Sequence, residues 1–450
     1  DNGAGLAPAL IIERGARIIA DGTPDAPITF TSNLPEDQLP QRGTWGGLIL
    51  LGNAPTNKGE SFVEGLVGVP YGGNDPHDDS GILRYVRVWY GGRSIGQDNE
   101  INGITFAGVG DGTVVEYCEV AFNLDDGFEF FGGTVNVRNL SVLFVGDDAF
   151  DSDEGYQGKG QFLFAIQGQD VCGRGFEMDN SGSNMDIQPR SYPQFHNVTL
   201  IGPGGGTPSN DGSDQMIRLR EGTGGDFRNV VIAYGNGVGV RVSDDATLAL
   251  IGDSLLFNES NIIFSCTEGQ FHSSNSSMVA INADPMFMQL DGRESGTGII
   301  DPRPIFGSPV YSNYVSLPDD GFFTQVDYSG AFNNDMWLAD WSLLSETGRL
   351  SDQTGIANGL NTMVSKFSIS SYPNPFNPIA NIKLYIAKND NFEICVYNML
   401  GQKIVEMYSG YLNQGYHVLP LDGSKLASGS YMVQLSTGEM TYNHQITLLK

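Results

Sequence analysis

Two acidic runs, one repeat apart in this 450-residue chain, carry the residue types best suited to chemistry. Asp125, Asp126 and Glu129 in "DDGFEFFGG" precede Asp147, Asp148, Asp151, Asp153 and Glu154 in "DDAFDSDEG" by an offset of 22. If the repeats stack in register, Asp125 lies beside Asp147 and Asp126 beside Asp148, about 5 Å apart across neighbouring strands. Unpaired carboxylates that close repel, so a proton or a cation must neutralise them. Calcium does so well, because it takes many oxygen ligands in flexible geometry. Asp125, Asp126, Glu129, Asp147, Asp148, Asp151 and Asp153 are therefore the expected Ca2+ ligands. No EF-hand spacing or G-G-x-G-x-D repeat accompanies them, so the expectation rests on stacking alone. Two other readings use the same residues: solvated turn carboxylates bonding their own backbone, or a carboxyl pair sharing one proton.

Paired carboxyls also serve glycoside hydrolysis, which places them about 5 to 9.5 Å apart around the scissile bond. An anionic polysaccharide would need basic subsites as well. Arg218, Arg220, Arg228 and Arg241 are the one basic cluster, with Arg218 and Arg220 on one face of a strand. The Gly-His-Gly and Arg-Ile-Lys runs that accompany paired Asp in polygalacturonases are absent. Other chemistries find less. His77, His196, His272, His417 and His444 form no H-x-x-x-H or H-E-x-x-H pattern, and no G-x-S-x-G elbow occurs. The glycine-rich runs lack the lysine and strand-to-helix setting of phosphate loops. Cys118, Cys172, Cys266 and Cys395 contain no C-x-x-C, which removes zinc and redox spacings and leaves buried free thiols as the expectation.

The elements that must hold these residues are short β segments punctuated by Gly, Asp and Asn: Leu83–Tyr90, Val114–Phe122, Val135–Val145, Phe195–Ile201 and Phe227–Tyr234. "EYCEVAF" at Glu116 and "NLSVLFV" at Asn139 read as offset by 23. Sixty glycines, 17% charged and 40% hydrophobic residues fit a turn-rich all-β chain and argue against disorder. A repeat of this length without helical periodicity predicts a solenoid, a right-handed parallel β-helix over residues 1–300, with a meandering sandwich or propeller as the alternative. Roughly ten coils at the strand spacing would make a rod about 50 Å long. Gly182–Tyr192 and Gly202–Ser213 read as excursions from the stack. In residues 301–350, Trp337, Leu338, Trp341 and Leu344 share one face of a short helix, expected to cap the open end of the solenoid. Residues 351–366 read as a linker.

Charge divides the chain. The formal charge is −29, yet from Lys366 onward six Lys face five acidic residues, leaving 18 basic and 48 acidic residues before it. Such a body repels nucleic acid and favours cations. No apolar run is long enough to span a membrane. Residues 367–450 alternate through Asn381–Ala387, Phe392–Tyr397, Gln402–Glu406, Tyr416–Leu421, Ser430–Leu435 and Tyr442–Leu449, the pattern of a small Ig-like β-sandwich. Its entry, Tyr372-Pro373-Asn374-Pro375-Phe376-Asn377-Pro378, reads as a stiff connector between body and tail.

"SYPNPFNPIANIKLYI", "ICVYNMLGQKIVEM" and "LASGSYMVQLSTG" resemble the type A sorting domain of the type IX secretion system. The resemblance carries the sorting signal onto Tyr372 through Pro378, with Gly401, Gly429 and Tyr431. It implies export across the outer membrane of a Gram-negative cell, with the type IX machinery as partner. "GTWGGLILLGNAPTN", "SGILRYVRVWYGG" and "NEINGITFAGVGDGTVVEYCEV" resemble secreted Bacteroidota β-helix proteins. No signal peptide opens the chain at Asp1, so a longer precursor is expected. The leading expectation is a non-catalytic structural or adhesive surface protein, with cell-surface polysaccharide or copies of itself as further partners. The alternatives are a calcium-dependent polysaccharide-active enzyme and a glycan-binding module.

Overall fold

The computed structural model describes residues 8–63, 68–94, 101–204, 214–274, 277–291, 297–305, 307–351, 367–372, 376–386, 389–398, 401–413, 415–437 and 441–450. The chain divides into two compact units, Asp1–Ser351 and Asp352–Lys450. In the first, successive strands are dealt alternately into two parallel sheets, so each turn of the chain adds one strand to both. That is a parallel β-helix, as expected. Among the described residues one sheet has nine strands, from Leu10–Ile12 to Gly269–Phe271, and the other ten. Nine strands at about 4.8 Å spacing stack over roughly 40 Å.

Register follows from what must stay dry. Phe128 pairs with Phe150 and Ile104, and Leu140 pairs with Cys118 and Leu163. All of these side chains are buried, and stacked like-on-like they form the interior ladder. The rings of Phe128 and Phe150 are nearly parallel at 5.7 Å, and those of Phe106 and Phe130 at 5.4 Å. Phe131, the outward aromatic of "FEFF", packs instead against Tyr71 at 6.2 Å.

The second sheet corrects the offset of 23. Arg138 pairs with Glu116 and Leu140 with Cys118, an offset of 22 like the acidic runs. Between those pairs Tyr117 and Asn139 have φ of 53° and 55°, and Tyr85, Phe162, Asn197 and Asn229 repeat the left-handed conformation in the other coils. This residue bends each strand through a corner. The inward phase therefore jumps by three, from Val115 to Cys118, rather than by two. An alignment by strict alternation slips by one residue there.

Residues 315–346 do not cap the open end. They lie as a strap along the outward face of the second sheet, because that face carries Trp89, Leu143, Phe164, Ile166 and Ile201, which need cover. The body grips the strap with side-chain amides that imitate a strand edge. Gln161 accepts from the Thr324 N–H (2.8 Å) and donates to its carbonyl (2.8 Å). Asn229 makes the same reciprocal pair with Val315 (2.9 and 3.0 Å). At the far end Arg87 donates to the Trp341 carbonyl (2.9 Å) and Glu119 accepts from the Leu343 N–H (2.7 Å). The expected helix is one turn, Leu343–Glu346, while Trp337, Leu338, Trp341 and Leu344 all join the apolar contact.

The tail unit folds as two antiparallel sheets around one apolar core, consistent with a small β-sandwich. Strand Phe367–Tyr372 already belongs to it, pairing antiparallel with Ile379–Ile386. The run Tyr372–Pro378 is therefore a connection inside the sandwich and not the hinge to the body. Pro373, Asn374 and Pro375, like most of the expected linker, lie outside the described residues. Phe376 is buried, and its backbone bonds Thr447 and Leu449. Asn377 and Pro378 are exposed, and the Pro378 carbonyl accepts from Gly423 at 2.7 Å. Gly401 closes a turn onto Asn398, Gly429 opens a strand, and the Tyr431 hydroxyl donates to Ala427 at 2.8 Å.

Beneath the strap, Glu119 is fully buried and accepts from Trp89, Ser141 and Leu343. Burial outweighs these bonds and pushes its carboxyl from 4.5 up to about 7. The folded chain then holds a proton that the unfolded chain releases, so this stabilisation is full below pH 4.5 and lost as pH rises through about 7. Glu119→Gln should keep the acceptor without the charge. It is expected to raise body stability at pH 8 by on the order of 2 kcal/mol, with little change at pH 4.5, in denaturant unfolding.

Candidate cation site

The acidic runs sit where the first sheet begins each strand. Gly127, between Asp126 and Phe128, donates to the Asp148 carbonyl (2.8 Å), and a Cβ there would meet the Ala149 carbonyl at 2.5 Å. A glycine is therefore what lets the Asp126 turn stack directly on the Asp148 turn. Beyond it, alternation points Phe128 and Phe130 inward and Glu129 outward. Strand pairing then sets Thr105, Glu129, Asp151, Glu177, Arg218 and Arg241 in one outward row across six coils. A second row at the preceding turn runs Asn102, Asp126, Asp148 and Arg174.

The two rows, with Asp125 and Asp147 beside Asp126, bring six of the seven expected ligands together. Carboxylate oxygens of Asp125, Asp126 and Asp147 lie within 4.8 Å of one another, as do those of Asp126, Glu129 and Asp151. Asp153 stands apart: it accepts from the Glu154 N–H at 2.6 Å, and burial pushes it up to about 6. Asp126, Glu129, Asp148 and Asp151 are all held well above the carboxylate range, first by burial and then by their acidic neighbours. The Asp151 Oδ1 atom is buried with no hydrogen-bond partner among the described residues. Asp126 accepts from the Asp148 N–H at 2.9 Å.

Sequence reasoning missed the residues that close the cluster. Arg174 is buried; its guanidinium donates to Asp148 at 3.1 Å and Glu177 at 2.7 Å, and its backbone N–H also reaches Asp148. Arg218 and Arg220 approach the other Glu177 oxygen at 3.3 and 3.2 Å, and Arg220 also holds Asp179 at 2.7 Å. Asp148 thus has a built-in cation, although it also lies within 4.8 Å of Asp151 and Glu177. On the other side Asn102 donates to Glu129. Among the described residues, no guanidinium pairs with Asp126, Glu129 or Asp151 as Arg174 does with Asp148. Glu177 repeats Asp151 at an offset of 26 rather than 22, because residues 167–173 lengthen the coil, and this hides it from a fixed-interval reading.

Other candidates disperse. Arg218 and Arg241 are neighbours in the row, whereas Arg228 lies on the second sheet and binds Asp226 at 2.7 Å. Glu393, Cys395 and Glu406 gather in the tail, but the Lys403 ammonium already bridges both glutamates at 2.7 and 2.6 Å. None of the four cysteines is in a disulfide; Cys118, Cys172 and Cys395 are buried, as expected, and Cys266 is half-buried.

Residues 2–300 match the pectate-lyase-like β-helix domain, and residues 370–448 match the secretion system C-terminal sorting domain. Neither a curated protein nor a solved structure matches the chain. Removing Arg174 would leave Asp148 and Glu177 facing each other in a dry turn. Arg174→Met is expected to cost about 3 kcal/mol or more of body stability at pH 7, and Arg174→Lys to recover only part, in denaturant unfolding.

Proposed function

This chain belongs to the pectate-lyase-like β-helix family and is exported through its type IX sorting domain, and on that premise we propose a non-catalytic, calcium-charged structural protein of the cell surface. No helix among the described residues is long and apolar enough to cross a membrane. The observation that carries the reading is the spacing of Asp126, Glu129 and Asp151, whose oxygens lie within 4.8 Å of each other. Oxygens on opposite sides of one calcium ion stand about 4.6 to 5.2 Å apart. Inverting glycosidases hold their carboxyls about 6.5 to 9.5 Å apart to admit the attacking water, wider than this cluster, and retaining ones about 5 to 5.5 Å. The unpartnered Asp151 oxygen fits a ligand atom better than a general acid.

In this reading Asp126, Glu129 and Asp151 hold the ion and Asp125 and Asp147 flank it. Calcium, when bound, supplies the charge that lets these carboxylates ionise away from water. Asp148 is bound to Arg174 and keeps the turn in shape. The stack is thereby clamped across two coils, which suits a rigid extracellular rod. A glycan-binding role has one observation in its favour, since the row continues into Arg218 and Arg241, which are 26% and 34% exposed.

Protons compete with the ion at these raised carboxyls, so binding should weaken as pH falls towards their titration range. With calcium at about a hundred times its dissociation constant, the body should gain about 2.7 kcal/mol. That is roughly 4 °C in thermal unfolding, removed by a chelator and absent in Glu129→Gln and Asp151→Asn. Equal unfolding temperatures with calcium and with chelator would contradict the proposal. Turnover of a polysaccharide that is lost in Asp126→Asn would show an enzyme instead.

A further inference from the structure

The strap covers a second buried ionisable group, on the side of the body away from the carboxylate row. His196 points outward from the second sheet yet is fully buried, because Phe323 of the strap lies over its ring at 4.3 Å. Neither ring nitrogen has a hydrogen-bond partner among the described residues. The nearest carboxylate, Asp226, is 3.7 Å from Nε2, too far for a hydrogen bond. Asp226 is also committed, since both its oxygens are held by Arg228 at 2.8 and 2.7 Å. Arg228 pairs in register with His196, so a guanidinium stands one coil away. In the other direction the neighbour is Gln161, which is neutral.

The cover is held by few contacts. Asp320 pairs with Lys159 at 2.5 Å, Arg138 donates to Thr324 at 3.1 Å and to the Phe322 carbonyl, and Gln161 grips Thr324. Arg138 and Lys159 also lie over the rings of Phe322 and Phe323. The charged groups facing His196 are thus Asp226 and Arg228 from its own sheet and Asp320 from the strap, with Lys159 beside it.

We propose that the strap tip, residues 320–324, is an acid-released lid over His196. While the tip is closed the imidazole is neutral, dry and without a proton acceptor or a free counter-charge. Protonation therefore requires water, and water reaches the ring only if Phe323 lifts. Burial holds the closed His196 below its ordinary 6.5. The sign follows: closure is fully favoured above about 6.5, the value of the open state, and is lost as pH falls below it. Asp320, held below its ordinary range by Lys159 and by backbone N–H groups, stays charged through this window and does not cause the release. Lifting the tip uncovers Arg138, Lys159 and a charged His196, a cationic strip on an otherwise acidic body.

Hydrogen exchange of the full chain, corrected for intrinsic rates, tests this between pH 7.5 and 5. Protection of residues 320–324 should fall by about tenfold for each pH unit by which His196 is displaced, while the interior strands keep theirs. His196→Gln should abolish the fall. Should that variant not fold, Lys159→Met, which removes the Asp320 pair, should make the tip open already at pH 6.5. Protection that does not change with pH in the native chain would overturn the proposal. So would a fall that persists in His196→Gln, or a Lys159→Met tip that opens at the native pH.

Discussion

In-register stacking is the constraint on which the rest of this structure depends. Each coil sets its side chains about 4.8 Å above those of the coil below, so every position meets its counterpart in the next coil. Inside the helix this is favourable, and phenylalanine stacks on phenylalanine. Outside it is indifferent for neutral groups and costly for charges. An outward carboxylate that recurs in the next coil must find a cation, a proton or water. The body answers in different ways at different heights. Arg174 serves Asp148 and Glu177, Arg218 and Arg220 serve the other oxygen of Glu177, and the level of Asp126, Glu129 and Asp151 is the one proposed for an exchangeable ion.

The two lateral faces take different roles for the same reason. On the second sheet a set of apolar outward positions is sealed by the strap, which the body holds with reciprocal side-chain bonds. That sealing buries Glu119 and His196, which therefore prefer to be neutral. On the first sheet the outward positions are charged, and their neutralisation falls to partners within the row or to an ion. One face is closed by the chain itself and the other is proposed to be completed from solution.

Legibility in the sequence follows the regularity of the coils. The Asp125 and Asp147 runs share spacing and composition, so their stacking is readable from the residue types and the interval alone, as are the β-helix and the strands of the sorting tail. Three features are not. The left-handed corner at Tyr117 and Asn139 shifts the inward phase, which alternation alone cannot register. The coil holding Arg174 and Glu177 is longer, so a fixed interval passes over the residues that neutralise Asp148. The Trp337–Leu344 pattern announces an apolar face but carries no information about which surface it covers, and that surface is lateral. Likewise the prolines after Tyr372 mark stiffness, while only the pairing of Phe367–Tyr372 reveals that the stiff segment lies within the sandwich.

The most direct test of the account is a crystal structure of the full chain grown with calcium, with anomalous data collected to identify the ion. A peak is expected between the 125–129 and 147–151 turns, with oxygens of Asp126, Glu129 and Asp151 at about 2.3 to 2.6 Å from it. Arg174 should remain on Asp148 and Glu177. Carboxyls bonded directly to one another with no ion between them, at neutral pH and millimolar calcium, would contradict it.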